Sequence, residues 1–519
     1  MSSTFSGLEL SRRALASQQV ALDVTGHNIS NANTQGYTRQ IANFTATTPD
    51  TISVSGRNMS VGTGVTVDTI TRARDAFVDR QFRAETSKQQ YWGAKQDSLS
   101  KVEAILNEPS DNSLSNDMNQ FYTAWSDLSK DPTNAGARSV VSERAQALTD
   151  SFHNIAQQVS DMKVNMDSSV QVQIKQINTY GQQIKDLNDQ IKRAEVSGDN
   201  PNDLRDQRDS LVDDLSKIVN VTVVETKDPL FMDRSVNNFK VIIGDNSANN
   251  TLVNNSTVRF LEDPAPQTID IKNNNFSASQ VVWSDDPTKE KVVLGTNLGT
   301  LSANIEMRDG YLNNFNTQID KLAQGIASAV NALHQTGQGL TGAGGLNFFT
   351  DGSATPTLDP QGLPVVTAST IKLNSVIAQD VNNIATGALD STTVTAGDGS
   401  VAQGISSLSS GWNALKSLIA AGKFGVAGQD PVSASSLGDY YGANVAQMGV
   451  DVQQANRMKA GEDVLVTNVT NQRESSSGVS LDEEMTNLIK FQKSYSAAAR
   501  MVTMMDDMLS TLLNMGITK

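Results

Sequence analysis

The chain contains no cysteine. Disulfides, thiolate nucleophiles and zinc–thiolate sites are therefore excluded. This absence leaves the compartment open, although it spares an exported chain any redox complication. Aromatic residues are scarce, at 5 % of the chain, so long thin helical bundles and lean β modules are expected rather than a thick aromatic core. Basic residues are outnumbered, 41 Lys plus Arg against 56 Asp plus Glu, and form no tract. Nucleic acid and anionic lipid need clustered cations, so neither is an expected partner. The formal charge of −15 reads instead as a solvated surface that keeps the free chain dissolved. No run approaches the ~18 apolar residues that span a bilayer, so membrane insertion is not expected. The opening MSSTFSGLELSRRALA lacks the basic leader and continuous apolar stretch of a Sec-type signal. If the protein leaves the cell, another route is expected.

Catalytic and cofactor signals are equally thin. The three histidines, His27, His153 and His334, lie in no HExxH and have no second histidine at metal-ligand spacing. They read as polar residues on helices or at a helix end. Gly337, Gly339 and Gly342 fit GxGxxG formally, but that fingerprint needs a strand before it and a helix after it. Here a helical pattern precedes, so the glycines read as turn residues. No P-loop is present. Asp199, Asn202 and Asp203 lie in a stretch that suggests a calcium loop, but its required glycine and distal Glu are missing. Asp482, Glu483 and Glu484 open a helical pattern, where acidic side chains favour the positive end of the dipole. No catalytic residue, cofactor site or metal site is assigned, and an enzyme is not expected.

What the chain does have is a seven-residue apolar repeat at each end. Leu8, Leu15, Leu22 and Ile29 form one series near the N-terminus. Near the C-terminus Leu481, Leu488, Tyr495, Val502 and Leu509 form another, with Phe491, Ala498, Met505 and Leu512 offset by three. Such a heptad gives a helix one narrow apolar seam that needs a partner helix rather than a globular core. The two ends are expected to pair as a helical stalk that packs again with copies of itself.

Between them the texture alternates. Ser6 with Glu9 forms a capping box, and Phe5 with Leu10 a hydrophobic staple, predicting a first helix over about residues 8–33 ended by Gly36. Residues 37–71 read as extended, with Gly56, Gly62 and Gly64 at turns. A helical stripe runs from about 137 to 196, through Phe152, Ile155, Val159, Met162 and Met166 and on to Ile177, Ile184, Leu187 and Ile191. Unbroken, it is roughly 90 Å long. Gly198 and Pro201 stop it. Short apolar runs, VTVV, KVIIG, TIDI and QVVW, predict an inserted β domain over 220–297. Ser480 with Glu483 is a second capping box that launches the last helix at Leu481.

The expected fold class is multidomain α+β and elongated. It has paired terminal coiled-coil helices (1–45 with 479–519), a long-helix bundle (46–219 with 298–335 and 400–478) and the β insert at 220–297. A strand-and-loop insert at 336–399 is expected to pack with the β domain.

Two terminal segments carry a family resemblance. ALDVTGHNISNANTQGYTRQ (21–40) resembles the N-terminal signature shared by the rod, hook and hook-associated axial proteins of the bacterial flagellum. EEMTNLIKFQKSYSAAARMV (483–502) resembles their C-terminal signature. The signature residues are Asn28, Asn31, Asn33, Gly36, Tyr37, Gln492, Tyr495 and Ala498, and Gln35 stands where many relatives have proline. Internal stretches resemble the branch that forms the hook–filament junction: SERAQALTDSFHNIA, DLRDQRDSLVDDLSK, GTLSANIEMRD, ALHQTGQGLTGAGGLNFF, IKLNSVIAQDVNNIATG and AGDGSVAQGISSL. GYTRQ (36–40) does the same.

The resemblance implies a non-enzymatic structural subunit at the distal end of the hook. It would be secreted by flagellar type III export after a transient stay in the cytoplasm. The implied partners are further copies in the axial lattice, hook protein, the second junction protein (hook-associated protein 3) and an export chaperone at the C-terminal segment. Burying the last helix's seam yields roughly 12–25 kcal/mol gross. Ordering about 30 residues costs about 1–2 kcal/mol each, so both ends are expected to order only on joining the lattice. Ala14, Ala21, Ala32, Asn28, Asn31 and Asn33 permit close approach and hydrogen bonds between neighbours; local capping before Gly36 is the alternative. The rival readings are a hook or rod subunit, and an adhesin or surface enzyme housed in 220–297.

Overall fold

Capping side chains and positive-φ residues set most element ends. The computed structural model describes residues 6–54, 57–231, 236–245, 247–263, 281–289, 291–353, 355–358, 363–389, 396–409 and 436–517. Phe5, Gly56 and the TIDI run lie outside them, as does the side chain of Leu512.

Helix α1 (Ser6–Ser30) is followed by a ribbon of β1 (Gln40–Ala46), β2 (Asp50–Val54), β3 (Arg57–Val61) and β4 (Val65–Arg72). β1 pairs with β4 and β2 with β3, all antiparallel, with a bulge between Asn43 and Phe44. Asp75 caps α2 (Ala76–Leu106), which ends on left-handed Asn107. Ser113 caps α3 (Leu114–Lys130). Asn134 caps α4 (Ala135–Val196), 62 residues and so about 93 Å long. Gly198, at φ +90°, turns the chain into α5 (Asn202–Ile218).

Strands β5 (Val221–Lys227), β6 (Asn237–Ile243), β7 (Thr251–Asn254) and β8 (Thr257–Val258) form an antiparallel sheet in that order. β9 (Leu261–Glu262) pairs with β10 (Val282–Trp283). Helix α6 (Gly299–Ile305) runs through a π-helical turn (Glu306–Tyr311) into α7 (Leu312–His334). Then come β11 (Gly337–Gln338), β12 (Phe349–Thr350), β13 (Lys372–Leu373), α8 (Ser375–Gln379), β14 (Gly387–Ala388) and α9 (Ser400–Ser406). The last described elements are α10 (Leu437–Ser477) and α11 (Leu481–Ile517).

Two hydrophobic cores are strung along α4. The first joins α2, α3, the N-terminal half of α4, α7, α9 and α10. The described part of the 336–399 segment packs here, with Phe348 and Phe349 against Phe121 and Trp125, rather than with the β insert as expected. Gly339 sits in it because a Cβ would lie 2.5 Å from the Asn382 carbonyl oxygen. The GxGxxG glycines thus serve close backbone contact and turning, and Gly342 is at φ +81°. The second core joins the C-terminal half of α4, α5, α6 and strands β5, β6, β7, β9 and β10.

Candidate functional site

Helices α1 and α11 lie side by side and antiparallel. Gly7 faces Met505, whose Cε is 2.8 Å from where a Cβ on Gly7 would stand. At the other end Asn28 meets Glu484. The ribbon covers a second side of α1: Ser17 Oγ donates to the Val65 carbonyl at 3.1 Å, and the Phe44 ring lies 6.0 Å from that of Phe491.

The buried line of α1 is therefore small and polar, running through Ser11, Ser17, Ala21, Thr25 and Asn28. Leu8, Leu15, Leu22 and Ile29 are only half-buried, as are Ala14 and Ala32. On α11, Leu488, Phe491, Ala498, Val502, Met505 and Leu509 are half-buried, whereas Leu481 and Tyr495 are exposed. The seam is thus partly closed inside one chain. A second apolar line remains outside it. Met485, Ile489, Met501, Met504 and Met508 are 40–52 % exposed, continuing from Leu481. Counting in sevens overlooks these residues. Steps of four and three, from Leu481 to Met485 to Ile489 and from Met501 to Met504 to Met508, are the signal that finds them.

The foot of this helix pair is polar. Gly36 (φ +80°) lets the loop turn back so that Tyr37 reaches α1. The Tyr37 hydroxyl donates to Asn28 Oδ1 at 2.7 Å and lies 3.1 Å from His27 Nδ1. Burial, with Asp203, Asp206 and Glu484 nearby, pushes the Tyr37 phenol up. Asn28 Oδ1 also accepts from the Gln40 amide, while its Nδ2 donates to the Gln40 carbonyl and to Glu484 Oε2. Asn31 Nδ2 donates to the His27 carbonyl at 3.1 Å, closing the helix locally. Asn33 and Gln492 are exposed. Ser480 Oγ accepts from the Glu483 amide at 3.5 Å, half of the expected box. The Glu483 carboxylate turns instead to Arg39, 2.9 Å away, and Arg39 Nε donates to Glu484 Oε1 at 2.8 Å. At the other end of the pair Glu9 likewise turns from capping to Arg12 and Arg13.

Below the foot, a buried charge network joins the terminal pair to the body. Asp206 accepts from the Thr38 amide and from Arg72. Asp209 faces Arg72, Arg74 and Arg83. Asp213 is held by Arg83 and by Arg473, which also reaches Asp79. Burial would raise the Asp209 carboxyl, but the surrounding Arg74, Arg72, Arg83 and Arg208 cations outweigh it and hold it well below the usual range. Burial pushes the Arg208 guanidinium, 3.6 Å above the Phe239 ring, down to about 10. Networks of this kind fix geometry more than they add stability. Apart from Asp79 on α2, the carboxylates come from the RDQRDSLVDD stretch of α5, and the cations from β4, the link after it (Arg74), α2, α5 and α10. No single segment of sequence displays the set.

The histidines are placed for packing. His334 is 1 % exposed; its Nδ1 meets the Leu346 carbonyl at 2.8 Å, and its Nε2 accepts from the Ala385 amide at 2.9 Å. Both bonds are made by one neutral tautomer. Burial, the dominant cause, lowers its pKa to about 4, with Arg138 adding to the effect. His27 lies 3.8 Å from Asp203, and His153 is half-buried on α4. Among the described residues no group of three His, Asp or Glu side chains is arranged to hold a metal ion.

Residues 99–349 match the family model of the flagellar hook-associated protein FlgK helical domain. Residues 8–38 match the flagella basal body rod protein model, and residues 471–515 the flagellar basal body rod FlgEFG protein C-terminal model. Flagellar hook-associated protein 1 of Bacillus subtilis is 31 % identical, covering 100 % of this chain and 99 % of its own length. That of Escherichia coli is 25 % identical over 96 % and 98 %. The solved flagellar hook junction protein FlgK of Burkholderia pseudomallei shares the fold, with a TM-score of 0.58 at 15 % identity, covering 76 % of this chain and 100 % of its own. On its likeness to full-length relatives, the chain belongs to the flagellar hook-associated protein 1 family.

Proposed function

We propose that this chain is a structural subunit of the junction between hook and filament, and that the α1–α11 pair is the part that enters the axial lattice. A member of this family is a component of the flagellum and associates with its other axial proteins. The observation that carries the finer reading is the outward line of α11. Leu481, Met485, Ile489, Met501, Met504 and Met508 stay open to solvent after α1 and the ribbon have covered the opposite side. A helix apolar on two sides needs a second partner.

Further copies of this chain set around a common axis supply that partner. The steps of four and three along this line are those of a helix surface that packs against another helix. Contacts of this head-to-tail type do not close on themselves, so the same surfaces can mate above and below. The proposed neighbours are hook protein on one side and hook-associated protein 3 on the other. An export chaperone would shield the C-terminal segment on the type III route. The terminal pair forms the inner tube, the long helices surround it, and the 220–297 insert points outward.

Deleting the encoding gene tests the reading. The expected strain keeps its hooks and releases flagellin into the medium. A strain that loses the hooks themselves would make the chain a hook subunit instead.

A further inference from the structure

The two cores do not merge. On α4 Met166 belongs to the first and Val170 to the second. On the following crossing, Leu301 belongs to the second while Ala303 and Met307 belong to the first. Three unlike features coincide at this level.

The first is a polar layer between the apolar ones. Arg308 is 4 % exposed and forks between Asp167 (2.5 Å) and Asp309 (2.7 Å). Gln173 Nε2 donates to Thr300 Oγ1, and its Oε1 accepts from Asn304. Glu306 takes hydrogen bonds from Tyr91 and, at 2.8 Å, from Lys95 on α2. The second is the π-helical turn Glu306–Tyr311, closed by the Leu312 amide donating to the Met307 carbonyl five residues back. Such turns widen the backbone and interrupt the ordinary ladder. The third is a groove of ≈ 380 Å³ among α2, α4 and α6, bordered by Lys101, Gln158, Asn165, Ser169 and Asn304.

Close-packed apolar layers resist deformation because every displacement opens voids or forces overlaps. The half-buried hydrogen bonds of this layer, Gln173 with Thr300 and Asn304 and Glu306 with Lys95, can exchange partners with water at small net cost, while the buried Arg308 pair stays closed as the pivot. The groove gives side chains room to move, and the π turn lets α6 and α7 change angle without breaking either helix.

We infer that this waist, built on Arg308, Asp167 and the 306–311 turn, is a bending point at which the two halves of the body tilt against each other. Within each half the packing is rigid, so flexing concentrates at one level of an otherwise stiff rod. This holds for the isolated chain and does not depend on its place in the flagellum.

The absence of cysteine makes the test clean, since exposed valines can be replaced and spin-labelled one pair at a time. Val140 and Val376 lie in one half, and Val224 lies across the waist. Labels on Val140→Cys with Val376→Cys should give a narrow distance distribution. Labels on Val376→Cys with Val224→Cys should give one about twice as broad or broader. Hydrogen exchange on the unmodified chain is the second measurement. Amides of 308–313 should exchange about tenfold faster than those of 319–330. Equal widths together with equal protection would overturn the bending point.

Discussion

Asn28 makes four hydrogen bonds from one buried amide, and they tie together α1, the loop, β1 and α11. Asn28→Ala leaves the Gln40 backbone and the nearly buried Glu484 short of partners, at a cost of about 2–4 kcal/mol. The loss is local, so the expected readout is faster tryptic cleavage at Lys490 and Lys493 with the helical body unchanged. Unaltered cleavage would assign Asn28 no part in holding the pair. Two other residues oppose each other in pH. The His334 pKa falls from 6.5 to about 4. The unfolded chain then binds more protons between those values, and stability drops as pH falls through them. Asp320 is raised by burial from 3.8 to about 6, against the pull of the Ala368 amide and Lys163. There the folded chain holds the extra proton, and stability grows as pH falls from 6 towards 4. Each contributes about 2 kcal/mol between pH 7 and 4.5, with opposite sign. In urea unfolding at those two pH values, His334→Gln should stabilise the acid side relative to the parent and Asp320→Asn should weaken it. Identical shifts in both variants would contradict these assignments.

At the level of elements, α11 divides its apolar residues between a side that α1 and the ribbon half cover and a side left exposed among the described residues. Leu488→Asp and Val502→Asp put charge into the covered side and should loosen the pair, seen as protease sensitivity of α11. Ile489→Asp and Met504→Asp charge the open side. They should leave monomer stability within about 0.5 kcal/mol yet abolish incorporation at the junction. Normal filament attachment with either open-side variant would remove that side from the lattice. The helices themselves were largely readable. The stripe of α4 and its stop at Gly198 placed it within two residues of its observed start, from a repeat of apolar residues in one segment. The sequence pattern carries the first helix three residues past its observed end, because Asn31 to Gly36 turn back to dock Tyr37 on Asn28, and periodicity carries no trace of that contact. Neither capping box closes as its spacing predicts, for a similar reason. Arginines outside the boxes, or one turn on, compete for Glu9 and Glu483.

For the whole molecule, the class of fold was legible because helix period and strand texture alternate along the chain. The joint was not. Arg72, Arg74, Arg83 and Arg473 meet Asp79, Asp206, Asp209 and Asp213 from four separate elements, and ion pairs at such range have no spacing rule. The heptads at the two ends predict that these helices pair with each other, but not which residues of the last helix stay exposed after pairing. That pairing governs when the molecule can be finished. Asn28 and Glu484 stand 456 positions apart in the chain yet touch. Contacts so remote form late, after the long intervening segment has collapsed. A polypeptide threaded out end first therefore leaves whichever terminus emerges earlier waiting, unmatched, until the final few dozen residues arrive. For a chain exported in the way proposed, completing the column would mark that the entire molecule has come through.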